Sequence, residues 1–236
     1  FADVSFTPVA DRDSVSPVNV RGALRRTGPS GGAPALDPPP GEAPTLSRDT
    51  TRADVVAGLF HAVPSTGSTA AERFLALTLA SARRTLYVSN AYFVPDDDFR
   101  RLLIQAAKRG VDVRVLTTGP NTDVKTTRWA GRWRYAELLA GGVKIYEYQP
   151  SNMHAKTISV DGVWGTVGSM NFDNRSLAFN DETTLLILDR AVVGGMDAMF
   201  LQDLRFSREM TAGAMAERAV WVKLRDGAMA MLQRVL

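Results

Sequence analysis

The chain has 236 residues, 45% of them hydrophobic, which is long and apolar enough to bury one sizeable core. It contains no cysteine and two distant histidines, which excludes disulfides and thiolate chemistry, so we expect no metal site and no cofactor. The net charge of +3 suits an anionic partner, phospholipid or nucleic acid, and no apolar run approaches the roughly 18 residues of a transmembrane segment.

The first segment is rich in proline. Eight of the twelve prolines fall within the first 44 residues, and residues 28–44, GPSGGAPALDPPPGEAP, show no apolar periodicity that could bury a face. We predict a linker or surface extension over residues 1–50, followed by a catalytic half-domain over residues 51–236. The chain begins with Phe1 instead of methionine, so we expect it to be a piece of a longer protein.

From residue 53 onward, strand and helix patterns alternate. Strands are predicted at 55–60, 85–94, 111–119, 143–148 and 183–189, and helices at 70–82, 96–110 and 125–142. The last forty residues are predicted to be helical. The fold class is therefore α/β, with a largely parallel or mixed sheet flanked by helices, and ligands of such sheets bind at the carboxyl ends of strands.

The stretch from Asn152 to Asn171, NMHAKTISVDGVWGTVGSMN, predicts a β-hairpin. Its Asp161-Gly162 dipeptide is typical of a two-residue type I′ turn, which would place Ser169 opposite His154. Side chains two residues apart share a face of a strand, so four polar groups should converge: His154, Lys156, Ser169 and Asn171. An imidazole, an ammonium and two neutral donors form a plausible phosphate or oxyanion site.

Each of these residues also has an ordinary structural explanation. A histidine and a lysine near a strand end are usually only solvated, and Asp-Gly is most often a simple turn. Asn171 could be a helix N-cap. The convergence of all four in one register favours the functional interpretation.

The spacing of these residues resembles the signature of the phospholipase D superfamily. The match consists of His154-x-Lys156, four residues, Asp161, six residues and Gly168-Ser169-x-Asn171. Residues 53–236 resemble the C-terminal half of bacterial cardiolipin synthases.

The resemblance implies a two-step phosphoryl-type displacement through a phosphohistidine, with a second histidine protonating the departing alcohol. Lys156 would neutralise the phosphate, and Ser169 and Asn171 would donate hydrogen bonds to its oxygens. Asp161, in the turn, would orient the motif. Glu182, at the start of the next strand, would fix the second ring nitrogen of His154.

The chemistry needs a second histidine motif. His61 has no lysine two residues on, so we interpret it as structural. The second motif should come from a missing N-terminal half or from a second copy of the chain. In two-motif members of the superfamily the N-terminal histidine is usually the nucleophile, which would make His154 the general acid and base.

Two further segments bear on the substrate. The stretch from Lys125 to Tyr135 interleaves arginine with tryptophan, which suits anionic headgroups through Arg128 and Arg132, single-stranded nucleic acid, or an ordinary solvated helix face. Tyr92 and Phe93 are predicted walls of the substrate pocket. The C-terminal helix could dock on a membrane or, more commonly, pack on the sheet.

We therefore expect a phosphatidyltransferase of cardiolipin synthase type acting on phosphatidylglycerol, peripheral to the cytoplasmic membrane of a bacterium. The enzymatic alternatives are a phospholipase D that hydrolyses phospholipid to phosphatidic acid and a homodimeric nuclease of the same superfamily. Nucleic acid is the less favoured partner. A lone half-domain that only binds phospholipid is the alternative without catalysis.

Overall fold

The computed structural model describes residues 16–17, 55–63, 69–173, 176–177 and 180–232. Its strands are β1 (Ser16–Pro17), β2 (Val56–Ala62), β3 (Thr85–Asn90), β4 (Asp112–Thr118), β5 (Lys144–Tyr148), β6 (Lys156–Val160), β7 (Trp164–Gly168), β8 (Glu182–Leu188) and β9 (Ser207–Met210). Its helices are α1 (Ala70–Ser81), α2 (Asp97–Lys108), α3 (Lys125–Ala140), α4 (Arg190–Leu204), α5 (Ala212–Ala216) and α6 (Val220–Leu232). The predicted Pro-rich extension lies outside the described residues, apart from β1.

The strands join in one mixed sheet with the order β1-β2-β8-β7-β6-β3-β4-β5-β9. Among the described strands, parallel pairing is confined to β3-β4 and β4-β5. The α/β class with a mixed, helix-flanked sheet is confirmed, but the sheet is less parallel than the alternating pattern indicated. After β5 the chain returns to the other side of β3 and adds β6, β7 and β8 as successive antiparallel neighbours.

An apolar layer on each face of the sheet packs against helices. Alternate side chains of a strand point to opposite faces, so Leu86 and Val88 of β3 belong to the large core, while Tyr87 faces the other way. The large core includes Leu79 of α1, Leu103 of α2 and Leu138 of α3, all fully buried. On the opposite face, Phe200 of α4 stacks on Tyr87 with ring centroids 4.9 Å apart. Both faces of the central strands are therefore covered.

Helix α2 begins and ends where its sequence predicts. Asp96 caps the first turn, because its Oδ1 accepts a hydrogen bond of 2.9 Å from the backbone N–H of Phe99. Gly110 follows the last turn with φ of +90°, a conformation that glycine adopts at little cost. The capping sets the two ends of α2, which connects β3 to β4 and packs on the large core through Leu103.

The hairpin forms, but its register differs from the prediction. Asp161 and Gly162 have φ of 56° and 66°, and the N–H of Val163 donates to the Val160 carbonyl as in a two-residue turn. Val160 nevertheless pairs with Trp164, so Val163 is an extra residue on the second strand. The predicted pairing of His154 with Ser169 is therefore wrong by one residue.

The tail also departs from the all-helical prediction. Ser207–Met210 forms β9, which pairs antiparallel with β5 at the sheet edge. The segment has no apolar run of its own, and its strand conformation depends on the hydrogen bonds offered by β5. Helix α6 packs on α3 instead of on the sheet.

Candidate active site

Four strand ends meet at one edge of the sheet and form an open cleft. Asn90, the last residue of β3, pairs with Lys156, the first of β6, and Gly168, the last of β7, pairs with Thr184 near the start of β8. The cleft has a volume of about 620 Å³. Its lining comprises His154, Lys156, Gly168, Ser169, Asn171, Asn180, Asp181 and Glu182. The structure thus brings together all four predicted hairpin residues and Glu182.

The end of β7 explains why the group converges despite the shifted register. A one-residue slip would turn Ser169 and Asn171 to the opposite face if the strand continued. The strand instead ends at Gly168, and Ser169 lies in a bend whose N–H donates to the Thr183 carbonyl at 3.0 Å. A Cβ on Gly168 would lie 2.6 Å from that same carbonyl oxygen, so glycine allows the close approach of β7 to β8.

Lys156 supplies the positive charge of the cleft. Its Nζ donates to the His154 carbonyl at 3.2 Å and lies 5.5 Å from the centre of the Tyr92 ring. Partial burial lowers the pKa of Lys156, and the negative charges of Glu182, Asp123 and Asp173 offset part of that effect. The ammonium is thus held by the backbone of His154 and lies in the field of three carboxylates.

Glu182 is almost fully buried, and neutral donors surround it. Its two carboxylate oxygens accept hydrogen bonds from the hydroxyls of Ser169 and Ser176 and, at 3.3 Å, from the amide of Asn180. Among the described residues, His154 is not one of its donors. The predicted contact with the imidazole is therefore absent from the structure, and Glu182 fixes the hydroxyl of Ser169 instead.

Two positioning residues were not predicted from the sequence. The hydroxyl of Ser176 accepts a 2.8 Å hydrogen bond from the Asn171 N–H while donating to Glu182. Asn90, 2% exposed, donates to the Met170 carbonyl and accepts from the Phe172 N–H, both at 3.2 Å. Together they clamp the segment that carries Asn171, whose Oδ1 has no hydrogen-bond partner among the described residues. The sequence offered one sign of the role of Asn90, which is that a polar residue ends the otherwise buried strand TLYVSN.

Tyr92 lies against the imidazole, whereas Phe93 does not reach the cleft. The rings of Tyr92 and His154 meet edge to face, with centroids 5.5 Å apart. The Tyr92 hydroxyl donates to Asp123 at 2.8 Å, and burial, followed by that carboxylate, raises the pKa of Tyr92 to about 12. Phe93 is 2% exposed and packs on Phe172 in the core. Its predicted role as a pocket wall is therefore wrong, because the loop after β3 turns that side chain inward.

Arg128 and Arg132 are not available as headgroup contacts. Both side chains are 15% exposed, and their guanidinium groups donate to the carboxylate of Glu147 at 2.7 Å. Glu147 is 1% exposed, and a buried carboxylate of this kind requires such partners. The arginine-tryptophan pattern of α3 therefore reflects an internal ion-pair cluster.

Asp161 and His61 lie outside the cleft lining. The carboxylate of Asp161 accepts from the backbone N–H groups of Arg83, Arg84 and Thr85, which tie the hairpin turn to the start of β3. His61 Nδ1 and Thr183 Oγ1 share a 2.9 Å hydrogen bond across β2 and β8. Both histidines of the chain are within the described residues, so the chain brings one imidazole to the cleft.

With this geometry established, comparison with known proteins defines the family. The family described as "Cardiolipin synthase, PLD-like domain" matches residues 75–204, more than half of the chain and all four strands whose ends form the cleft. The chain belongs to this family. Its cleft residues His154, Lys156, Ser169, Asn171 and Glu182 all fall within the matched range.

Two relatives of this PLD-like domain are bacterial cardiolipin synthases. The chain is 33% identical over 159 residues to the cardiolipin synthase of Staphylococcus aureus strain Mu50, a match that covers 67% of the chain and 32% of that protein. It is 38% identical over 146 residues to cardiolipin synthase A of Citrobacter koseri, covering 62% of the chain and 30% of that protein. The matched part of the chain thus spans about a third of the length of these relatives.

Solved structures share the fold of this PLD-like domain. Nuc of Salmonella typhimurium, a phospholipase D family member, aligns with a TM-score of 0.55 at 19% identity, covering 67% of the chain and 99% of Nuc. Phosphatidylserine synthase of Haemophilus influenzae aligns with a TM-score of 0.59 at 12% identity, covering 77% of the chain but 48% of that protein. Among the described residues, no helix is both long and apolar enough to cross a membrane.

Proposed function

We propose that the chain is one catalytic half of a phosphatidyltransferase of cardiolipin synthase type, which transfers a phosphatidyl group from phosphatidylglycerol to a second phospholipid alcohol. The observation that carries the proposal is the cleft itself, where one imidazole, one ammonium and neutral donors converge. The names of the bacterial relatives described above, both cardiolipin synthases, support the lipid substrate. The protein would act at the surface of the cytoplasmic membrane of a bacterium.

The proposed reaction has two displacements. In the first, a histidine nitrogen attacks the phosphodiester, a P–N bond forms, the P–O bond to glycerol breaks, and a second histidine protonates the departing glycerol oxygen. In the second, that histidine removes the proton from the hydroxyl of another phosphatidylglycerol. The new P–O bond forms as the P–N bond breaks, which restores both imidazoles.

The residues of the cleft suit the charge that develops at phosphorus. Lys156 would neutralise a phosphate oxygen, and Ser169 and Asn171 would donate hydrogen bonds to the others. The single hydroxyl proton of Ser169 is donated to Glu182, so it would turn to a phosphate oxygen when substrate binds. Asn171 is held before substrate arrives, because Ser176 accepts a hydrogen bond from its backbone N–H. Such preorganisation lowers the reorganisation needed in the transition state.

The reaction needs an imidazole that this chain does not bring to the cleft. A missing N-terminal half or a second copy would supply the second motif, placing its histidine opposite His154. With the first arrangement, the other histidine would be the nucleophile and His154 the general acid and base.

One observation favours hydrolysis as a second candidate. The cleft is open and His154 is exposed, so water could reach a phosphohistidine and release phosphatidic acid. A partner half that covers the cleft would exclude water and direct the phosphatidyl group to an alcohol. Neither a homodimeric nuclease nor a lone half-domain that only binds lipid has a comparable observation in its favour.

The test combines the chain with the proposed N-terminal half and follows phosphatidylglycerol into cardiolipin and phosphatidic acid. We expect His154→Ala to lower turnover by about 10³-fold or more, because it removes a reacting group. His61→Ala is the matched control, since it changes the other histidine, which lies outside the cleft lining, and it should leave turnover unchanged. Unchanged turnover in His154→Ala, or an equal loss in His61→Ala, would contradict the proposal.

The same preparations assign the role of His154. Brief reaction with radiolabelled phosphatidylglycerol, followed by denaturation, traps an acid-labile phosphohistidine on the nucleophilic half. Label on the N-terminal half would make His154 the general acid and base, whereas label on this chain would make His154 the nucleophile. Activity of the chain alone on DNA, rising with dimer concentration, would support the nuclease instead.

A further inference from the structure

Helix α6 is fixed to the body of the protein by one face. A Cβ on Gly227 would lie 3.1 Å from the Trp133 ring, so the two helices α6 and α3 approach closely there. Asp226 is fully buried and accepts hydrogen bonds from Arg218 and Arg225. The buried ion pair and the close contact with α3 fix which face of α6 points inward. The face that points to solvent is therefore fixed as well.

The opposite face of α6 is apolar and exposed to solvent. Its large side chains have exposed fractions between 49% and 72% and are Val220, Trp221, Leu224, Met231 and Leu232. At 100° per residue they fall within an arc of about 120°, which is the width of a stripe that an amphipathic helix normally buries. We call these five residues the outward face of α6.

The charges of α6 distinguish a lipid surface from a protein partner. Its one acidic residue, Asp226, is fully buried and paired with both Arg218 and Arg225, so these three groups together carry one positive charge. Lys223, whose ammonium donates to the Ala216 carbonyl, adds a second positive charge. Arg225 also stacks over the Trp129 ring, 4.1 Å from its centre. An apolar stripe with tryptophan on a helix of net positive charge is the pattern of helices that lie in the interface of an anionic bilayer.

We propose that the outward face of α6 docks the protein on an anionic phospholipid surface, with Trp221 and Leu224 inserted at headgroup depth. Docking through α6 requires no chemistry at His154. It assigns a function to a surface that lies outside the cleft lining.

The experiment measures binding of the full chain to vesicles of phosphatidylglycerol and phosphatidylcholine, compared with phosphatidylcholine alone. We expect Leu224→Glu and Met231→Glu each to weaken binding about tenfold or more. Each variant replaces an apolar side chain that would insert into the bilayer with a charged one. Leu77→Glu on α1 and Met199→Glu on α4 are matched controls of the same type and similar exposure, and should bind like the parent chain. All four positions are on the surface, so thermal unfolding should be unchanged.

Trp221 provides an independent measurement. Brominated acyl chains should quench the tryptophan fluorescence of the parent chain more than that of Trp221→Phe. The difference between the two proteins is the quenching of the Trp221 ring. His154→Ala should bind vesicles like the parent chain, which separates this inference from the proposed reaction. The inference would be overturned by absent vesicle binding, by equal losses in the two control variants, or by a Leu224→Glu variant that loses self-association while vesicle binding stays unchanged.

Discussion

Two carboxylates at strand ends, Glu147 and Glu182, are buried to almost the same extent and are accommodated in opposite ways. Glu147 is 1% exposed and contacts two guanidinium groups of α3, so its negative charge is more than matched by cations. Glu182 is 2% exposed and contacts two hydroxyls and an amide, none of which carries charge. Burial alone therefore does not separate a structural carboxylate from one in a candidate active site.

The side chains that contact each carboxylate distinguish the structural Glu147 from Glu182 in the candidate active site. The ion pairs of Glu147 hold α3 against the end of β5 and leave nothing for a ligand. The charge of Glu182 is not cancelled by a direct cationic contact among the described residues, and its field raises the pKa of Lys156 against the lowering effect of burial. A carboxylate held by neutral donors can thus orient hydroxyls and favour a protonated lysine in the same cleft.

The largest effect on stability is expected at Glu147. Glu147→Ala leaves two largely buried arginines without their carboxylate, which should lower the free energy of unfolding by about 3–5 kcal/mol. Urea denaturation measures the loss. Asp98→Ala is the control, because its ion pair with Arg101 is well exposed and should be worth about 1 kcal/mol or less. Equal losses in the two variants would show that the Glu147 cluster is not structural.

Glu182→Gln should change stability little and lower turnover strongly. The amide keeps the shape of the side chain and one acceptor oxygen, so we expect a loss of about 1 kcal/mol in stability. Turnover in the assembled enzyme should fall about 10²-fold, because Ser169 loses its fixed acceptor and Lys156 loses a neighbouring charge. A stability loss as large as that of Glu147→Ala, with turnover unchanged, would remove the distinction between the two carboxylates.

The sequence predicted the parts of the site that are close together along the chain. The hairpin, its Asp161-Gly162 turn and the convergence of His154, Lys156, Ser169 and Asn171 follow from local patterns and from the spacing of the motif. The extra residue Val163 shifted the register, but the group still converges because β7 ends at Gly168. That ending depends on the contact with β8, which local pattern does not reveal.

Partners distant in the chain were not predicted. Arg128 and Arg132 look like surface cations in sequence, because nothing local indicates that Glu147 of the next strand turns toward them. Glu182 was predicted in the site with His154 as its hydrogen-bond donor, since the positions of its actual donors Ser176 and Asn180 depend on the path of the preceding loop. The parallel strands were over-predicted because the direction of β6 is set by its pairing with β3.

Ser176→Ala tests whether the network around Glu182 acts as a unit. Ser176 links that carboxylate to the backbone of Asn171, so its loss should cost about 1 kcal/mol in stability and lower turnover about tenfold. Ser81→Ala is a matched control, because its hydroxyl bonds only the Thr78 carbonyl within α1. Turnover that is unaffected in Ser176→Ala would mean that Asn171 is held by Asn90 alone.

The smallest effect on stability is expected at Asp161. This third carboxylate accepts hydrogen bonds from backbone N–H groups, where Glu147 has cations and Glu182 has hydroxyls. Partial burial raises the pKa of Asp161, but the hydrogen bonds from the N–H groups of Thr85, Arg84 and Arg83 outweigh it, so the pKa lies below its usual value. A lowered carboxyl pKa stabilises the fold above the unfolded-state pKa, and that contribution is lost as pH falls through the folded-state pKa.

Asp161→Asn isolates this charge, because asparagine tolerates the left-handed backbone at φ of 56°. At neutral pH the parent chain should be more stable than the variant by about 1 kcal/mol or less, since the group is partly exposed. The difference should begin to shrink as pH falls below about 4, the ordinary pKa of an unfolded-state aspartate, and should vanish as pH falls through the lower folded-state pKa of Asp161. Denaturation of both proteins across this pH range measures it. A difference that persists in acid would show that the turn depends on the shape of the side chain and not on its charge, and turnover should be nearly unchanged throughout because Asp161 lies outside the cleft lining.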